Sequence, residues 1–322
     1  MTPPPPEWAP VDRIFTAWPW RKKEWRGALY AAQAQTAALV AAIARGGTRV
    51  TLLVPDQKRE QQAAALIGDV GEVTFVRMRY GDIWLRDTGP MFAGGVAHAF
   101  GFNGWGGKYE MPGDERVAAA LAKRVGAALR RHDFVFEGGA IDHDGAGNAI
   151  TTEQCLLNPN RNGDIGKSEM EAKLRDALGF ETIVWLGEGL ANDHTDGHVD
   201  NLARFVAERT VVVPEAMRTD DPNAAIYADA AERLLAAGFE VVRIPSPGRI
   251  DDGEGRAMPA SYMNFILTNE RVIVPTYGQV TDETAVAALG SLFPGREAIG
   301  LDARAILTGG GAFHCMTHEV PA

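Results

Sequence analysis

Cys315 follows three successive glycines in the run Gly309-Gly-Gly-Ala-Phe-His-Cys315, and it is one of only two cysteines in 322 residues. Glycines let the backbone take left-handed angles and approach a ligand closely, so little bulk stands in front of this thiol. A cysteine attacks only as thiolate, with a free pKa of about 8.5, and needs a positive partner or a base near neutrality. His198 suits the base, since an imidazole with an ordinary pKa of about 6.5 gives and takes protons there. The other candidates, Asp87, Glu137 and Asp200, are acids, and their charges would raise the thiol pKa. Such a set works only if the substrate is itself a cation. A planar guanidinium pairs with carboxylates through two hydrogen bonds. Once bound, its charge stabilises the thiolate and its central carbon becomes the electrophile, so the set predicts a Cys/His/acid hydrolase acting on a guanidine.

These residues are scattered over the chain, and an alternating pattern must bring them together. Arg13 to Pro19 reads as a first strand, Ala28 to Ala44 as a helix closed by Gly46-Gly47, and Arg49 to Pro55 as a buried strand. Helices are then predicted near residues 59–67, 116–129, 168–178, 224–237 and 283–292. Each leads to a short strand: 73–77, 134–136, 182–186, 241–244 and 298–301. Each strand is followed by a loop of acids, glycines or the cysteine. Hairpin-like segments such as Met91 to Phe100 and Ala140 to Ile150 lie between. From Asp87 to Glu137, His198, Asp252 and Cys315 the spacing is about 50 to 60 residues, which suits blades around an axis. The pattern predicts an α/β fold of five hairpin-helix-strand units in one domain, 1–322, with five loops pointing into a central cleft.

Taken singly, several residues have plainer readings. Asp87 beside Arg86 reads as a surface ion pair, Trp84 as core, and Glu137 equally as a satisfied turn carboxylate or a ligand. His198 and Asp200, at i and i+2, would share one side of a strand. Cys155 reads as packing in an apolar strand, and His314 and His318 carry no assignment, since histidines near a chain end are usually solvated. Two rival classes stay open. His194, Asp196, His198 and Asp200 alternate like metal ligands on one strand face, and a protein of this shape could bind a cation without turning it over.

Composition narrows the classes. With 42 acidic against 32 basic residues the net charge is −10, which argues against a nucleic-acid footprint and is compatible with a cationic small molecule. No apolar run approaches the roughly 20 residues of a membrane span. The start, Met1 to Pro10, lacks a basic and then apolar leader, so a cytoplasmic protein with free thiols is expected. Neither cysteine has the C-x-x-C spacing of a thiolate zinc site.

Five motifs in order carry a resemblance: Trp84-Leu-Arg-Asp-Thr-Gly-Pro90, Glu137-Gly-Gly139, Thr151-Thr-Glu-Gln-Cys-Leu-Leu-Asn-Pro-Asn160, Asp196-Gly-His-Val-Asp-Asn-Leu-Ala-Arg-Phe205 and Gly309-Gly-Gly-Ala-Phe-His-Cys315. Together the chain resembles the agmatine deiminases of the bacterial peptidylarginine-deiminase type, from Trp18-Pro19 to Pro321. The resemblance implies a pentein fold, the five-bladed α/β-propeller that modifies guanidino groups. It implies that Cys315 attacks the guanidinium carbon, that His198 moves the protons, and that Glu137, Asp200 and Asp87 orient the guanidinium. Trp84 would lie along the substrate's aliphatic stem with Gly311 facing it from the other side. It further implies no metal or cofactor and a homodimer. Two positions depart from the pattern. His194 stands where some agmatine deiminases carry an acid, and the tail from Ala312 differs. A relative acting on arginine or peptidylarginine by the same mechanism is the alternative.

Overall fold

The computed structural model describes residues 1–322 and contains five separate sheets, four of three strands and one of four. Four are built alike. An antiparallel hairpin is followed by a helix that returns the chain to a parallel third strand, as a parallel crossover requires. The third sheet in chain order shows the plan: Ile141–His143 pairs with Asn148–Thr152, the helix Lys167–Leu178 crosses, and Thr182–Leu186 adds in parallel. The strands Met91–Ala93, Val96–Gly101 and Ala128–Val135 repeat it, as do Arg204–Ala207, Thr210–Glu215 and Glu240–Pro245, and then Ile266–Leu267, Arg271–Thr276 and Glu297–Asp302.

The remaining sheet joins the two ends of the chain. Strand Val11–Ala17 pairs in parallel with Arg49–Val54, which pairs in parallel with Val73–Arg77, while the last strand, Thr317–Pro321, runs antiparallel to the first. Thr16 lies opposite Thr317 and Ile14 opposite Glu319, so the chain end is a ladder partner and the ring of blades closes. The helix Leu29–Arg45 turns Ala32, Thr36, Leu39, Val40 and Ile43 inward at helical spacing, and strand Arg49–Val54 is buried from Val50 to Val54 because layers cover both faces. The architecture is a five-bladed α/β-propeller. No helix is long and apolar enough to cross a membrane.

Three expectations are corrected. The helix expected over 116–129 ends at Arg124, and the strand after it begins at Ala128. Gly126, at φ +70°, stops the helix, and Ala128 to Arg131 pair with Val96 to Ala99 although their side chains are mostly exposed helix formers. Pairing with a neighbour overrides propensity on such an edge strand. His198 and Asp200 do not share a strand: a 3-10 turn spans Val199–Asn201, entered through left-handed Asp196 and Gly197. The loop expected to bring Asp252 to the thiol instead pairs it with Arg256 and Arg26, where it lines a neighbouring cavity with His194 and Tyr109 and not the one that holds Cys315. Its blade supplies Asn264 to the centre, on the 3-10 turn Tyr262–Asn264.

Candidate active site

The thiol of Cys315 sits on a short helical turn, Phe313–Met316, directly after the glycines. A Cβ on Gly309 would come within 3.0 Å of the Trp25 ring, and one on Gly311 within 2.8 Å of Trp84 and 3.1 Å of the Cys315 sulfur. Glycine is required here because an aromatic wall and a thiol both press on the backbone. The Trp84 ring thus packs close to the Gly311 backbone. Asp82 holds the ring in that pose by accepting from the indole N–H at 3.1 Å. Trp84 is both core and wall, since it is buried yet lines, with Gly311 and Cys315, a cavity of about 200 Å³. Gly311→Ala is expected to displace the ring and lower kcat/KM by about 10²-fold, measured by ammonia release on protein shown to be folded by circular dichroism.

Four other loops bring their side chains to this centre, two of them against the sulfur. Asn264 donates from its amide to Cys315 Sγ at 3.1 Å and accepts from the Cys315 backbone N–H at 3.2 Å, which fixes the thiol's position. Asp200 Oδ2 lies 3.5 Å from the sulfur. His198 stands with Nδ1 3.6 Å from Asp87 Oδ1 and Nε2 3.7 Å from Glu137 Oε2. Gly139 makes the convergence possible: a Cβ there would lie 2.6 Å from His198 Nδ1, 2.9 Å from Asp87 Oδ1 and 3.1 Å from Asp200 Oδ2. The structure therefore assembles all five residues expected from their chemistry.

Each acid is oriented by a neighbour. Asp87 does not pair with Arg86. It accepts from the Trp105 indole at 2.9 Å and the Gly139 N–H at 3.0 Å, while buried Arg86 turns to Glu319 at 2.6 Å and Glu7 at 3.3 Å. Glu137 accepts from Arg161 Nε at 2.8 Å. Asp200 contacts His314 Nδ1 at 2.8 Å, whose Nε2 meets Glu7 at 2.7 Å. His314 and His318 are thus buried, contrary to the solvated expectation, because the chain end is a strand inside the ring. Asn264, Trp105, Arg161 and Glu7 carry no local signal in the sequence beyond the glycines around Trp105 and the motif ending at Asn160, whereas His314 stands inside the run Gly309 to Cys315 with nothing there to mark its contact with Asp200.

Electrostatics follow from burial and from these partners. Burial, then the charges of Asp200 and Asp87, push the Cys315 thiol well above its ordinary range. Burial opposes a charged His198, but Asp87, Cys155 and Glu137 outweigh it and hold its pKa well above the usual value. Burial likewise raises Asp87, with Asp200 and Glu137 adding to it. For Asp200 the His314 contact overcomes burial and holds the carboxyl low, and for Glu137 His198 and Arg161 do the same. A raised thiol pKa means little thiolate at pH 7, so alkylation of Cys315 by iodoacetamide in the free protein is expected to rise about tenfold per pH unit from 7 to 9. Peptide mass spectrometry measures it. A plateau already reached near pH 7 would show a depressed pKa instead.

The four residues that alternate from 194 to 200 do not form a ligand set. Asp196 faces Asn160 at 3.0 Å, Asp200 faces His314, and the His194 ring stacks on Tyr109 with centroids 5.7 Å apart. The group whose atoms could hold a metal is Glu137, Cys155 and His198. Cys155 is accordingly not on a strand: Thr152 caps the short helix Glu153–Leu156 by accepting from the Cys155 N–H at 3.3 Å, and the thiol points at the site.

Residues 4–321 match the family of Porphyromonas-type peptidyl-arginine deiminases. The chain belongs to that family. Within it, the chain is 38% identical to an agmatine deiminase of Pseudomonas aeruginosa strain LESB58, covering 99% of this chain and 95% of that one. A C. jejuni agmatine deiminase, solved as a cysteine-to-serine variant with substrate bound, superimposes with a TM-score of 0.91 at 30% identity, covering 99% and 96% of the two chains. The Enterococcus faecalis agmatine deiminase does so with 0.89 at 31% identity over 98% and 95%. A Streptomyces griseus inosamine-phosphate amidinotransferase, 14% identical with a TM-score of 0.53 over 100% and 98%, shares the fold alone. The family member described here thus has the pentein fold, and its Cys, His and acid side chains meet at the centre of the ring.

Proposed function

We propose that this chain is an agmatine deiminase, a single catalytic domain that converts agmatine and water into N-carbamoylputrescine and ammonia. One observation carries the reading. Both ring nitrogens of His198 and Oδ1 of Asp200 are buried without a hydrogen-bond partner in the protein, beside a buried thiol and two more acids. A buried carboxylate oxygen with no donor is costly until a cation meets it, and a planar guanidinium supplies charge and donors together.

In the proposed reaction Glu137 and Asp200 grip the guanidinium nitrogens, with Asp87 as the further carboxylate. The bound cation draws the Cys315 pKa down, the thiol proton leaves to solvent, and the thiolate sulfur forms a bond to the guanidinium carbon. The C–N bond breaks as His198 gives its proton to the departing ammonia, which leaves an S-alkylthiouronium. His198 then takes a proton from water, whose oxygen bonds to the carbon and expels the thiolate. Asn264 holds the sulfur throughout.

Asp82 gives the cavity a preference for agmatine over arginine. It lines the cavity with Glu24, Lys23 and Arg26, and burial first, with Asp114 and Glu24 adding, pushes its carboxyl up to about 7. An ammonium beside Asp82 would restore its charge, whereas arginine would bring a carboxylate against it. Ammonia release without added metal, from agmatine, arginine and a peptide-borne arginine, tests this. Agmatine is expected to exceed arginine by about 10²-fold in kcat/KM. An equal or reversed preference would replace the reading with an arginine or peptidylarginine deiminase.

A further inference from the structure

Cys155 takes no part in the proposed reaction, yet it lies against two residues that do. Its sulfur stands 3.9 Å from Glu137 Oε2, and His198 Nε2 stands 3.7 Å from the same oxygen. The three ligand atoms lie within 4.8 Å of one another and all three residues are buried. Around tetrahedral zinc, with bonds of about 2.0–2.3 Å, ligand atoms sit about 3.3–3.7 Å apart. Two of the three edges are therefore close to the required length before any movement.

Independent features point the same way. His198 Nε2 is buried with no partner and faces this group. Its other nitrogen faces Asp87 Oδ1 at 3.6 Å, longer than a hydrogen bond, so a small movement would complete the carboxylate-imidazole contact that orients metal-bound histidines. Arg161 holds one oxygen of Glu137 at 2.8 Å and is itself held by the Thr195 carbonyl at 2.7 Å, so the second oxygen is presented to the group. Thiolate, imidazole and carboxylate together select zinc over magnesium or calcium.

We propose that Glu137, Cys155 and His198 form a zinc(II) site behind the catalytic thiol, and that zinc bound there inhibits the enzyme by removing His198 from proton transfer. Bonds form from zinc to sulfur, nitrogen and oxygen. The Cys155 proton leaves to solvent, nothing is oxidised, and water takes the fourth position. Inhibition rests on the deiminase reading, but the metal site does not.

Cobalt(II) serves as the probe because a thiolate-cobalt bond gives a near-ultraviolet charge-transfer band. Cys315→Ala protein, which retains only the Cys155 thiol, is expected to bind one cobalt with that band and to lose it to zinc. Cys315→Ala/Cys155→Ala should show no band. In the enzyme with Cys315 intact, EDTA should reverse zinc inhibition, and Cys155→Ala should raise the half-inhibitory zinc concentration by about tenfold or more while turnover in zinc-free buffer persists. Cys155→Ser is the second variant should the alanine form melt early. A Cys315→Ala protein without the band, or equal zinc sensitivity with and without Cys155, would overturn the proposal.

Discussion

Cys315→Ala is expected to lower ammonia release from agmatine by about 10⁵-fold or more, because no other group can make the bond to the guanidinium carbon. The neighbouring Cys155 cannot substitute. Its thiol lies behind His198 and Glu137, and burial raises its pKa. Guanidinium binding should survive, since the gripping carboxylates keep their own supports: Trp105 on Asp87, Arg161 on Glu137 and His314 on Asp200. Calorimetry with agmatine should therefore give an affinity within about tenfold of the intact protein, as expected when an interaction special to the reaction is removed. Residual activity above about one hundredth would mean that Cys315 is not the nucleophile.

His198→Gln is expected to cost about 10³–10⁴-fold in kcat, the usual range for loss of a positioned general acid and base. Glutamine keeps polar contacts near Asp87 and Glu137, 3.6 and 3.7 Å from the histidine nitrogens, but carries no transferable proton. The loss should fall on both halves of the reaction. Rapid quench compares the intact protein with the variant: the variant should show neither a burst of ammonia nor an accumulated thiouronium on intact-mass analysis. An accumulated adduct would assign His198 to the second half alone.

Much of this site was legible from residue types because its logic is local to each residue. A lone thiol among acids implies a cationic ligand whatever the fold, so Asp87, Glu137, His198, Asp200 and Cys315 could be named together. The supports were not legible. Asn264 meets Cys315 across 51 positions and His314 meets Glu7 across 307, so no spacing relates them. Asp252 was misplaced for the same reason: an acidic glycine-rich loop reads alike whether its carboxylate reaches the thiol or pairs with arginines beside it.

By itself the sequence determined the alternation of helix and strand and the charge of the ligand, because periodicity and side-chain chemistry are properties of short stretches. Only the tertiary structure decided which loop residues face the axis, that Thr317–Pro321 closes the ring against Val11–Ala17, and that Cys155 stands beside His198. Those relations arise when separate blades pack and bury one another's polar groups, and each buried group must then find its partner wherever the fold has carried it.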